Sequence, residues 1–245
     1  MATTPSYVWG FIGPTADGSH PLQTIQPQRL LPPEVVQLSK GIGISDYTTE
    51  GVEEAIGRYW ACADELVKQG ARSLTLGGVP ISSQLGRARV LKLIEETKRR
   101  TGVPGDSTNE AIIAALQRLG VSRLAVASRW AGELNRALVA YFAQAGITVV
   151  SITSEGQWAK EAFAMTIERG IVLAVRLGRQ AMREAPAAQA LLLPGGTWRG
   201  LTAVPILEED FDVPVLTNGI ATAWRIMSQG IAPPVQGWGR LLEHP

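Results

Sequence analysis

The chain of 245 residues holds one cysteine, Cys62, and two histidines, His20 and His244. A single thiol excludes an internal disulfide framework and any cysteine-ligated metal cluster. Two histidines leave little for a histidine-rich site, so no metal is expected. An excess of charge is also lacking: 23 Lys+Arg against 22 Asp+Glu leave +1. Phosphate binding needs clustered positive charge, and no nucleic-acid partner is expected. No run approaches the ~18 consecutive apolar residues of a membrane span. The start, Met1-Ala2-Thr3-Thr4-Pro5, has neither the charged beginning nor the apolar core of a secretory leader. The expectation is a soluble, cytoplasmic protein without a membrane partner. Common signatures are missing too. Gly195 to Gly200 has the first spacing of a Walker loop, but Leu201 stands where lysine is required. Gly41-Ile42-Gly43 lacks the third glycine of a dinucleotide fingerprint, and neither His-Glu-x-x-His nor Gly-x-Ser-x-Gly occurs.

What is present is an ordinary globular mix, 45% hydrophobic and 18% charged, which excludes a disordered chain. One pattern recurs: an amphipathic stretch, a glycine, then a short apolar run. Gly70 precedes Arg72 to Leu76, Gly120 precedes Arg123 to Ala127, and Gly146 precedes Thr148 to Ile152. Glycine just past a helix end suits the left-handed position there, and apolar runs without alternation suit strands covered on both faces. Helix, glycine, strand, repeated, predicts an α/β fold with parallel sheets. A helix is read from Thr49 to Gln69, with Val52, Ala55, Ile56, Tyr59, Ala63 and Leu66 on one face. Ser107 to Glu110 reads as a capping box, with Glu110 reaching back to Ser107. Further helices are read over Ala131 to Ala145, about Thr166 to Glu184, and Asn218 to Gln229. Leu74 to Pro80 parallels Leu191 to Thr197, each a strand entering a Gly-Gly turn. The simplest arrangement is two similar α/β lobes facing one cleft.

In open parallel sheets ligands bind beyond the carboxyl ends of strands. That rule selects the loops Gly13 to Gly18, Gly77 to Ser83, Ser128 to Trp130, Gly195 to Gly200 and Thr217 to Gly219. Paired glycines let backbone N–H groups approach an anion, or simply make tight turns. Two loops carry polar-aromatic pairs, Ser128-Arg129-Trp130 and Thr197-Trp198-Arg199. Arg129 and Arg199 offer a fork to a carboxylate and Trp130 and Trp198 a flat wall; solvated arginines and seam-filling tryptophans are the alternative. Asp17 and Glu133 are candidate catalytic carboxylates, with Glu133 equally placed to favour a helix N-terminus. Ser82 can donate to an anion or cap a helix. Cys62, at helical spacing with Tyr59 and Leu66, reads as a small buried hydrophobe, and His20 could reach a cleft.

Gly10-Phe11-Ile12-Gly13-Pro14, Lys68-Gln69-Gly70-Ala71, Leu119-Gly120-Val121, Leu134-Asn135 and the closing Gly237-Trp238-Gly239-Arg240-Leu241-Leu242 occur in a distinctive order over most of the chain. On these segments the sequence resembles the arylmalonate decarboxylase and maleate cis-trans isomerase branch of the aspartate/glutamate racemase superfamily. The resemblance implies two Rossmann-like lobes with pseudo-twofold symmetry, an active site between them and no cofactor. The expected lobes are 1–117 plus 219–245, and 118–218. It also implies chemistry at the carbon beside a carboxylate, using two cysteines in the racemases and isomerases and only the second in the decarboxylase.

The sequence departs from that pattern. The first cysteine position falls at about Gly78 and the second at about Gly195, with Cys62 in the wrong element to replace either. The decarboxylase's Thr-Ser pair of oxyanion donors appears as Val79-Pro80, and its second-lobe tyrosine as Trp130. The resulting expectation is an enzyme that acts on a small carboxylic acid, with an apolar or aromatic body, without a cysteine nucleophile. Its intermediate is enolate- or oxyanion-like, and decarboxylase-like lyase chemistry is favoured. Asp17, Ser82, Glu133 and Thr197 are the catalytic candidates. Pro14, Gly78, Val79, Arg129, Trp130, Gly195, Gly196, Trp198, Arg199 and Asn218 are the substrate-binding candidates. An isomerase or a ring or amide hydrolase on the same pocket remains open. So do a non-catalytic small-carboxylate binder and assembly as a homo-oligomer.

Overall fold

The computed structural model describes residues 5–15, 29–158, 165–196 and 200–243. Two four-stranded parallel sheets, flanked by helices, form an α/β fold. In the first, β1 (Tyr7–Gly13), β2 (Val35–Gly41), β3 (Ser73–Leu76) and β4 (Gly105–Ser107) lie in the order β2-β1-β3-β4. In the second, β5 (Arg123–Trp130), β6 (Thr148–Gln157), β7 (Ala190–Leu193) and β8 (Val215–Thr217) lie in the order β6-β5-β7-β8. The two orders are the same. Each sheet reverses its direction of growth once, between β1 and β3 and between β5 and β7. In open α/β sheets, that reversal opens the ligand crevice at the carboxyl ends.

The helices follow from local sequence. In the first half they are α1 (Thr49–Ile56), α2 (Tyr59–Lys68), α3 (Val79–Leu85), α4 (Arg87–Thr101) and α5 (Thr108–Arg118). In the second they are α6 (Gly132–Ala143), α7 (Ile167–Glu184), α8 (Ala203–Phe211), α9 (Asn218–Met227) and α10 (Arg240–Glu243). Gly70, Gly120 and Gly146 take positive φ, as their places before strands require. The expected continuous helix from Thr49 to Gln69 is two helices, interrupted at Gly57-Arg58. All six residues expected on its inner face are buried. The interruption lets Arg58 donate to the carbonyls of Ile42 (2.6 Å) and Gly43 (3.0 Å), tying the helix pair to the chain beyond β2. The capping box is also half realised. Ser107 Oγ accepts the Glu110 N–H at 3.1 Å, but the Ser107 N–H donates to Asp106 Oδ1 instead.

Glu110 is diverted because it joins the two halves. It accepts from Arg87 Nε at 3.0 Å, Arg87 Nη2 at 3.1 Å and the Tyr141 hydroxyl at 2.8 Å. Tyr141 lies on α6, and burial beside that carboxylate raises its hydroxyl pKa. Arg225 of α9 reaches Asp106 Oδ2 at 2.9 Å, and Trp158 Nε1 reaches Asp46 Oδ1 at 2.5 Å. Burial raises the Asp106 pKa, opposed by Arg225. Helix α3 packs on α6, and α5 packs on α9. Among the described residues, no helix is long and apolar enough to cross a membrane.

Close approach dictates one residue at the end of β3. A Cβ on Gly77 would stand 2.1 Å from Phe11 Cζ. Gly77→Ala is therefore expected to destabilise by about 1–3 kcal/mol. The loss should shrink when Phe11 is first trimmed to Ala, as thermal denaturation of the double-mutant cycle would show. An equal loss in both backgrounds would place the strain elsewhere.

Candidate active site

The strand-order reversal places the first candidate crevice beyond β1 and β3. Gly13 and Pro14 are held by the Ile42 N–H on the Gly13 carbonyl (3.0 Å) and the Ile44 N–H on the Pro14 carbonyl (2.8 Å). The Gly77 N–H donates to Ile12 at 2.8 Å, which keeps the Gly-Gly corner beside β1. Gly78 has φ +95°, a conformation that L side chains rarely adopt, and its Cβ would stand 2.7 Å from Ile81 Cδ1. Val79 and Pro80 open α3 and are buried. Ser82 is fully buried, and its Oγ has no hydrogen-bond partner.

The same reversal places the second candidate crevice beyond β5 and β7, where a polar clamp shapes the end of β5. Ser128 Oγ donates to Asn135 Oδ1 at 2.7 Å and accepts the Trp130 N–H at 3.0 Å. Asn135 Nδ2 donates to the Trp130 carbonyl at 2.8 Å, and Ser154 Oγ donates to the same carbonyl. The pairing with β6 shifts register between Ser128 and Trp130. Arg129 and Trp130 are only 1% and 3% exposed. Gly195, after β7, has φ +96°, matching Gly78. A Cβ built there would lie 3.1 Å from Trp130 Cζ2 and 3.4 Å from Arg129 Nη2. The indole edge and the guanidinium thus meet at one point beside the glycine. Burial pushes the Arg129 pKa down to about 9, because the charged form is the one that loses water.

The remaining candidates separate. Asn218 begins α9 directly after β8, and its Oδ1 is buried without a partner. Gly196 is buried beside Gly195. Glu133 stands exposed in the first turn of α6. Asp17, His20, Thr197, Trp198, Arg199 and His244 lie outside the described residues. Cys62 is half-buried rather than fully buried, and its thiol donates to the Gly41 carbonyl at 3.5 Å, at the end of edge strand β2. Strand β1 separates β2 from β3, so that carbonyl is about 10 Å across the sheet from β3. Burial, with Glu65 nearby, raises the Cys62 pKa. Among the described residues, no group of three or more His, Cys, Asp or Glu is placed to hold a metal. A groove of 680 Å³ runs between α6 and β6, lined by Asn135, Arg136, Val139, Ile152, Ser154 and Glu155; it shares Asn135 and Ser154 with the clamp, and none of Gly77, Gly78, Gly195 and Gly196 lines it.

A family model described as arylmalonate decarboxylase matches residues 9–242. The chain belongs to the arylmalonate decarboxylase family. Arylmalonate decarboxylase of Bordetella bronchiseptica is 30% identical over 99% of this chain and 98% of its own length. A liganded double mutant of arylmalonate decarboxylase superimposes with a TM-score of 0.88 at 28% identity, covering 98% of this chain and 100% of that one. A Nocardia farcinica maleate cis-trans isomerase mutant, solved with a covalently bound succinylcysteine intermediate, has the same fold. Its TM-score is 0.83 at 19% identity, covering 98% and 99% of the two chains. The decarboxylase family is one of lyases, and the expected fold and enzyme class both hold.

Sequence reasoning named Ser128 to Trp130 but missed Asn135 as the residue that holds them. The signal was an amide residue on the inner face of a helix, next to Leu134. Asn135→Ala leaves the Ser128 hydroxyl and one bond of the Trp130 carbonyl unmatched. It is expected to lower stability by about 1–3 kcal/mol in chemical denaturation. Wild-type stability in this variant would show that the clamp does not hold the strand end.

Proposed function

We propose that the protein is a cofactor-independent enzyme that acts on a small carboxylic acid at the carbon beside the carboxylate, with decarboxylase-like lyase chemistry and no thiol step. The observation that carries this reading is the pair of matched glycine corners at the two crevices of a decarboxylase-family fold, one of them beside a buried guanidinium. Loss of carbon dioxide leaves an electron pair on the α-carbon. That pair delocalises onto the remaining carboxylate as an enediolate, and a proton must then reach carbon. Preorganised donors around the developing negative charge lower the barrier by a few kcal/mol each. We assign that work to backbone N–H groups at Gly78, Gly195 and Gly196, with Ser82 and Thr197. Arg129 and Arg199 anchor the acid, while Pro14, Val79, Trp130, Trp198 and Asn218 shape its seat. Asp17, Glu133 or a bound water moves the proton.

Two observations support the polar assignments. Ser82 Oγ and Asn218 Oδ1 are buried without partners, and such atoms are rare unless a ligand or water meets them. The thiol is set aside because the one cysteine donates to the carbonyl at the end of β2. The lobe division at 117/118 and 218/219 is likewise our assignment. It is supported by α9, which leaves β8 and packs on α5 of the other half. Isomerisation, or hydrolysis of a ring or amide, would use the same pocket.

A second reading is a small-carboxylate binder that has lost the reaction. It is favoured by glycine at both corners and by Pro80, which has no N–H to give.

Malonates, unsaturated diacids and cyclic amides incubated in heavy water and followed by proton NMR separate these readings. The expected result is loss of carbon dioxide with one deuteron entering the α-carbon. Turnover should be equal in wild type and Cys62→Ala, and insensitive to alkylation. Binding without turnover or exchange of any acid would select the binder. Activity lost on alkylating wild type, but kept by alkylated Cys62→Ala, would contradict the thiol-free mechanism. The raised Cys62 pKa also means less thiolate near pH 8 than in a free thiol. Its alkylation should be slower than that of a cysteine peptide and keep rising with pH after the peptide's rate has levelled off. A rate equal to the peptide's would contradict that environment.

A further inference from the structure

We propose that Asp46 and Trp158 form a latch that joins the mouths of the two candidate crevices and holds them face to face. Trp158 Nε1 donates to Asp46 Oδ1 at 2.5 Å, across 112 positions of sequence and from one half of the chain to the other. The two residues stand at matching places. Both sheets have the same strand order, so β2 and β6 are corresponding edge strands. Asp46 follows the end of β2 at Gly41, and Trp158 follows the end of β6 at Gln157. A glycine with positive φ precedes each of them, Gly43 at 59° and Gly156 at 73°. Such glycines let a chain leave the path of its strand, so each loop can turn toward the other.

Each side of the latch is tied to a crevice by a short path. In the first half, the Ile44 N–H, just before Asp46, donates to the Pro14 carbonyl at 2.8 Å. The Tyr47 carbonyl accepts at 2.9 Å from Gln84 of α3, the helix that leaves the Gly78 corner. The Tyr47 N–H also donates to Asp46 Oδ1 at 2.7 Å, which sets the acceptor within its own loop. In the second half, Gln157 pairs with Trp130 across the sheet, and its carbonyl accepts the Ala131 N–H at 2.7 Å. The indole bond thus closes a run of contacts from Pro14 to Trp130. Neither Asp46 nor Trp158 is assigned a step of the reaction. Their bond sets how the two crevices stand to one another, and with that the seat of a ligand touching both. This effect on the ligand rests on the reading of the crevices as one active site; the latch itself does not.

Amide hydrogen exchange of the ligand-free protein, read residue by residue by NMR, tests the latch without requiring turnover. Trp158→Phe keeps a ring and removes the indole N–H. Exchange at Ile44, in the opposite half, should then rise about 10-fold. Asp46→Ala should raise exchange at Ala131 in the same way. Asp46→Asn keeps an acceptor oxygen and should stay near wild type. Leu74 donates to the Pro104 carbonyl at 2.9 Å within the first sheet, and its exchange should not change. Ile44 exchange unchanged in Trp158→Phe overturns the proposal. So does an equal rise at Ile44 and Leu74, which marks a general loss of stability. If Asp46→Ala does not fold, Trp158→Phe and Asp46→Asn decide by the same criterion. Calorimetry with malonate is the second arm. Trp158→Phe and Asp46→Ala should bind it about 10-fold more weakly than wild type. Unchanged affinity in both overturns the effect on the ligand. Failure of wild type to bind malonate sinks the reading of a shared acid site, and exchange at Ile44 and Ala131 still decides the latch.

Discussion

A positive charge is taken almost wholly out of water at the carboxyl end of β5, and the architecture around it makes that possible. Among the described residues, Arg129 is the largest of the nearly inaccessible side chains. Charges so placed are unfavourable unless something nearby compensates them. The clamp of Ser128, Asn135 and Ser154 fixes the strand end through backbone atoms, and a glycine in a rare conformation leaves room for the guanidinium. Trp130 closes the other side. Buried polar bonds hold the strand end, and a Cβ at Gly195 would crowd the Trp130 ring at 3.1 Å.

The second organising constraint is repetition. Both sheets use the same strand order, and β3 and β7 each run into a Gly-Gly corner with nearly identical φ. The helices after β4 and β8 are capped alike, by Ser107 and Thr217. The differences between the copies are therefore informative. Val79, Pro80 and Ile81 close on the first corner with Ser82 buried among them, whereas the second carries the cation.

Much of the fold was legible because parallel strands write themselves as short apolar runs after glycine; β3, β5 and β6 were read that way, and β7 from its entry into a Gly-Gly turn. Short β4 and β8 carried too little apolar pattern. The helix from Thr49 was read as continuous because its inner face is unbroken, while the interruption depends on Arg58 meeting carbonyls from a distant loop. Glu110 illustrates the same limit. Its spacing from Ser107 fits a local cap, but Arg87 of the same half and Tyr141 of the other outcompete that bond. Of the site, the loops and the pairing of Arg129 with Trp130 were visible from strand ends and residue type. Asn135 was not, since an amide within a helix gives no sign of the carbonyl it will meet.

Convergence of both crevices on a single anion can be measured directly by titrating malonate into isotope-labelled protein and following the amide resonances of Gly78 and Gly195 with the Arg129 side-chain Nε signal. The expected result is that all three move together and saturate with one dissociation constant. Movement at only one corner, or saturation at different concentrations, would contradict a shared site.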